Sequence, residues 1–62
     1  MSKTQAIKEL ATRFAACHLG KHNAQFRNVF SAGDFAARMK RELGVDVIEE
    51  TIEERALYVV MW

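Results

Sequence analysis

Cys17, His18 and His22 are the only thiol and imidazole groups of the chain, and they stand in one short stretch. Side chains of these types can hold a metal ion or form a nucleophile with its base. A structural zinc site takes four ligands arranged in spaced pairs, and here three are present in total. Cys17 and His18 are adjacent, so on a helix they point about 100° apart. A cysteine nucleophile needs a base within hydrogen-bond reach inside a pocket. Cys17 falls instead on the apolar stripe of an expected helix, so it reads as a small core residue with His18 at the rim. Glu49, Glu50, Glu53 and Glu54 cluster as acid/base pairs can, but catalysis needs one carboxylate perturbed by burial, and so polar a stretch reads as solvated. Gly20, Gly33 and Gly44 are isolated and make no phosphate-binding loop. The sequence therefore predicts no catalytic residue, no cofactor and no metal. The expected activity is binding, not catalysis.

Charge is the stronger signal. The 62 residues carry a formal charge of +1, which hides a division. Residues 1–41 hold eight basic side chains against Glu9 and Asp34, giving +6. Residues 42–62 hold Arg55 against Glu42, Asp46, Glu49, Glu50, Glu53 and Glu54, giving −5. Such asymmetry marks an interaction surface, or two parts of a fold or of two subunits that attract each other.

The elements that position these groups follow from spacing. A first helix is expected over about 3–19. Ser2 and Gln5 form a capping box, and Ile7, Leu10, Ala11, Phe14, Cys17 and His18 make one stripe. Gly20 is expected to end it in a left-handed conformation. Residues 23–29 read either as a short helix capped by Asn23 or as an irregular loop that pins Phe26, Val29 and Phe30 to the core. A second helix is expected over 32–43, with Ser31 as N-cap and Gly44 as its stop. Ala32, Phe35, Ala36, Met39 and Leu43 share its apolar face.

Residues 55–62 are aromatic and β-branched and read as a strand. Residues 45–52 read as its hairpin partner or, through Asp46 and Glu49, as the start of a helix. The hairpin is preferred, because a lone terminal strand would have no partner and β-branched residues lose rotamer freedom in a helix. The fold class is thus α+β, one domain over 1–62. So short a chain buries a modest core, which must offset roughly 1.5 kcal/mol of entropy per ordered residue. Self-association often supplies the difference. A homodimer is expected, formed through an open edge of the last strand at Tyr58, Val60 and Trp62.

The lone cysteine and the polar start Met1-Ser2-Lys3-Thr4-Gln5 suggest a cytoplasmic protein, and no apolar run is long enough to span a bilayer. With a helix at 23–29 and a hairpin at 45–62, the element order would be that of a small winged helix-turn-helix. Lys21, Arg27, Arg38, Lys40 and Arg41 would then contact nucleic acid, and a DNA-associated regulator is slightly favoured. Against it, Asp34 and Glu42 flank Arg38, Glu9 precedes Arg13 by one turn, and the would-be wing is acidic. The competing reading is a protein-interaction module, an adaptor or inhibitor, using the C-terminal edge strand and the acidic stretch.

Overall fold

The computed structural model describes residues 2–62. Helix α1 spans Lys3–Arg13, strand β1 His18–Leu19 and strand β2 Asn23–Phe26. Helix α2 spans Val29–Leu43, followed by strand β3 (Ile48–Ile52), a 3-10 turn (Glu53–Arg55) and strand β4 (Leu57–Met61). Two helices and a four-stranded antiparallel sheet make an α+β fold, as the sequence predicts. Among the described residues, no helix is long and apolar enough to cross a membrane.

Ser2 caps α1 as expected, its hydroxyl oxygen accepting from the Gln5 N–H at 3.2 Å. The helix stops at Arg13, short of the predicted Leu19. Ala15, at φ 58°, supplies the left-handed residue expected of Gly20. The Ala15 N–H donates to the Thr12 carbonyl and the Ala16 N–H to the Ala11 carbonyl, each at 3.0 Å. That is the paired closure with which helices commonly end. The early stop frees residues 17–19 to pair with β2. Cys17 is consequently exposed, its N–H donating to the Gln25 carbonyl at 2.8 Å, and His18 is exposed on β1. Neither joins the core stripe that the sequence predicts.

The second correction concerns residues 23–29. They form β2 and a tight link, not a short helix. Ala24 and Phe26 are fully buried on one side of β2. Asn28 is the N-cap of α2, its side-chain oxygen accepting from the Phe30 and Ser31 N–H groups at 2.8 and 3.2 Å. The helix therefore begins about one turn before the expected Ser31 cap. The loop reading fails in part too, since Phe26 is core but Phe30 is 78% exposed and Val29 is exposed. Without a helix at 23–29, the order is not that of a winged helix-turn-helix. Gly44 does end α2, at φ 66°.

The hairpin β3–β4 forms as preferred, trimmed at both ends. Its connection is the 3-10 turn closed by Ala56 at φ 50°. A left-handed alanine thus does what the missing glycine or asparagine would do.

The strand order is β1-β2-β4-β3. Both helices cover one face. Ile7, Leu10 and Ala11 of α1 and Ala32, Phe35, Ala36 and Met39 of α2 cluster with Ala24, Phe26 and Val60 of the sheet. Phe35 stacks on Phe26 and on Trp62, with ring centroids 5.1 and 5.9 Å apart in tilted geometry. Burying each such large side chain contributes roughly 1.5–3 kcal/mol.

Candidate functional site

The basic residues do not gather into one surface. Lys21 lies in the β1–β2 turn, and Arg27 in the link between β2 and α2 at the other end of that strand. Arg38, Lys40 and Arg41 lie on α2, but the helical period turns Lys40 about 160–200° from Arg38 and well away from Arg41. Arg38 Nη1 donates to Glu42 Oε2 at 2.8 Å, one turn along the helix. That hydrogen bond holds the Glu42 carboxyl below the usual carboxylate range, and the charges of Arg38, Arg41 and Arg13 add to it. The same bond raises the Arg38 pKa further. On the opposite flank, Lys40 Nζ stands 3.2 Å from Asp46 Oδ1, both exposed. The groove between α1 and α2 mixes Arg13 with Glu9 and Glu42, and the groove between α2 and β3 mixes Lys40 with Asp46 and Glu49. Phosphate contacts need free cations in register with a backbone. Two of the three on α2 are already matched by carboxylates.

The proposed interface on the last strand also changes. β4 is not an edge: it pairs with β2 on one side and β3 on the other. Val60 has no exposed surface, and Tyr58 and Trp62 pack partly buried against the core. An open edge for strand pairing at Tyr58, Val60 and Trp62 is therefore ruled out by the topology, because neighbouring strands already take both sides.

The sheet has two open edges, the two-residue β1 and the five-residue β3, and β3 is the longer. All five of its residues are exposed, and it pairs on one side only. Register assigns their faces. Ile48, Glu50 and Ile52 stand opposite Met61, Val59 and Leu57, whereas Glu49 and Thr51 stand opposite Val60 and Tyr58. Directly opposed residues share a face. Val60 and Tyr58 face the helices, so Ile48, Glu50 and Ile52 lie on the sheet face that the helices leave uncovered. Leu57, Val59 and Met61 continue that face in the neighbouring strand. Leu57 and Val59 are shielded to 9% and 8%, outside the core cluster, while Ile48 is 65% exposed. Glu49 and Glu50 within β3, with Glu53 and Glu54 just beyond it, make this edge strongly acidic.

Reading residues 45–62 as a hairpin could locate both strands but not their order in the sheet. The signal that marks β3 was present: isoleucines at 48 and 52 alternate with Glu50, and charges on an exposed strand are a usual mark of a sheet edge. Among the described residues, no three His, Cys, Asp or Glu side chains converge as a metal site would require.

No protein-family model, no curated protein and no solved structure matches the chain.

Proposed function

We propose that this protein is a binding module that takes an extended, basic segment of another protein along β3. The observation that carries the reading is that β3 is a five-residue strand, exposed throughout, with one side of its backbone unpaired. An added strand would satisfy those backbone groups, and side chains would set the specificity. The register supplies the partner's chemistry. Opposite Ile48 and Ile52 it needs apolar residues, and opposite Glu49 and Glu50 it needs Lys or Arg.

A second copy of the same strand fits poorly. Two β3 strands laid antiparallel and centred on Glu50 oppose the two Glu50 carboxylates, with further acids beside them, and like charges directly opposed are destabilising. The acidic edge thus repels its own kind and attracts a basic strand. The adaptor reading gains from this arrangement, through β3 in place of the C-terminal strand. The DNA reading loses by the scatter and pairing of its cations.

The test is titration with a capped peptide containing Val-Thr-Lys-Lys-Val, the sequence complementary to β3 in antiparallel register. Backbone amide signals of residues 48–52 should move saturably, and Ile48→Lys should remove the effect. Movement confined to α2, with none in β3, would contradict the reading.

A further inference from the structure

A separate cleft lies at the opposite end of β1 from Cys17. It is formed by the first turns of α1, the β1–β2 turn and Trp62, and has a volume of about 290 Å³. Its apolar lining comes from Ile7, which is buried, and from Leu19 and Trp62, which are partly so. Lys3, Lys8 and Lys21 also line it and are exposed. No Asp or Glu side chain lines it, and among the described residues none of the three lysines has an ion-pair partner. Arg38 and Lys40 each have one; what sets the three lysines apart is that they line a single cleft.

The placement of Lys3 runs against local preference. It occupies the first position of α1, where the helix dipole disfavours a cation, and the first turn holds no acid to compensate. Conflicts of this kind tend to fall at functional positions. The turn that carries Lys21 is fixed. The Gly20 N–H donates to the Asn23 carbonyl at 2.8 Å, and Trp62 N–H donates to the His22 carbonyl at 2.9 Å. Asn23 packs so closely over Gly20 that a Cβ there would lie 2.7 Å from its amide nitrogen. Trp62 is held from behind by Phe35.

The other side of Trp62 provides an internal contrast. A more open cleft of about 490 Å³ includes Asp46, Val47, Ile48 and Met61. Its lining holds Asp46, already paired with Lys40, and no lysine, so it offers an anion no free ammonium group as the first cleft does.

We infer that the cleft between α1, the β1–β2 turn and Trp62 binds a small anionic aromatic molecule, a phosphate or carboxylate on a flat ring system. The ring lies against Trp62, Ile7 and Leu19, and the anionic group meets the three lysines. The volume matches the low end of small-molecule sites, of about 300–1,000 Å³, so it admits one ring system and one charged group. The ammonium groups supply charge-assisted hydrogen bonds to an anion.

Trp62 is the sole tryptophan, so its indole N–H gives one signal in a proton–nitrogen spectrum. That signal is followed while the full chain is titrated with 1-naphthyl phosphate, 1-naphthoate, 1-naphthol or inorganic phosphate. Saturable movement with at least one naphthyl anion is expected, with the preferred anion identifying the head group, and little movement with naphthol or with phosphate alone. Lys8→Gln and Lys21→Gln should each weaken binding about tenfold. Both residues are exposed, so the variants should fold, and Lys40→Gln serves as a control that leaves binding unchanged. A silent indole signal with both naphthyl anions, equal affinity for naphthol, or undiminished affinity in the Lys8→Gln/Lys21→Gln variant would each overturn the inference.

Discussion

Glu49 stands directly opposite Val60 across the β3–β4 ladder, yet Val60 has no exposed surface and Glu49 is open to solvent. The pair marks where the interior of the sheet gives way to its edge. Truncating each should separate the two roles. Val60→Ala removes about two methylene equivalents from the core and leaves a cavity, costing roughly 1.5–3 kcal/mol. Glu49→Ala touches a solvated side chain and should stay within about 0.5 kcal/mol of the parent. Urea unfolding of the two variants checks this. Equal losses would mean that β4 is not the buried strand.

The start of α2 rests on Asn28, not Ser31. Asn28 accepts from two N–H groups that otherwise lack partners at the helix end. Asn28→Ala should therefore cost about 1 kcal/mol of stability, and Ser31→Ala little. The reverse ranking of unfolding midpoints would move the helix start to where the sequence alone places it.

Two alanines hold left-handed conformations, Ala15 at the end of α1 and Ala56 at the end of the 3-10 turn. A Cβ in that region costs roughly 1–2 kcal/mol. Replacement by glycine relieves it, and the freer unfolded chain takes back roughly 0.4–1 kcal/mol. Ala15→Gly and Ala56→Gly should each raise the unfolding midpoint slightly, a net gain of about 0.5–1 kcal/mol. Were α1 continuous to residue 19, Ala15→Gly would lie inside it and would lower the midpoint instead.

Glu42 introduces a pH dependence of known sign. Its folded pKa lies below the ordinary value of 4.5, because Arg38 hydrogen-bonds the ionised form. Its contribution is present in full above the ordinary carboxylate range and is lost as pH falls through the lowered folded value. Unfolding midpoints of the parent and Glu42→Gln should thus differ at neutral pH and converge in acid. The pair is exposed, so the difference should be small and should shrink with added salt. A difference that grows on acidification would contradict the sign.

Much of this fold is legible in the sequence because the apolar period is unambiguous. Ala32, Phe35, Ala36 and Met39 recur at helical spacing and are all core residues. The strong apolar content of residues 57–61 marks a strand in the same way. The misreadings come chiefly from strand pairing, which the spacing within one segment does not show. Cys17 and His18 continue the helical stripe of α1, but residues 17–19 gain more by pairing with β2. Phe26, Val29 and Phe30 stand at helical spacing, but β4 offers Ala24 and Phe26 a ladder. Ala15 conceals a helix stop, since an alanine carries no sign of a left-handed backbone. The location of the sheet edge was hidden for a related reason. A run of apolar residues is as consistent with a central strand as with an exposed one, and β4 lies in the centre because β2 returns to it.

The central claim is that the acidic edge of β3 selects a basic strand, and charge reversal tests it most directly. The parent and the Glu49→Lys/Glu50→Lys variant are each titrated with two capped peptides, one containing Val-Thr-Lys-Lys-Val and one Val-Thr-Glu-Glu-Val. The account predicts exchanged preference: the parent binds the lysine peptide, the variant binds the glutamate peptide, and amide signals of residues 48–52 move in both complexes. A parent that binds both peptides alike, or a variant that retains the lysine peptide, would contradict it.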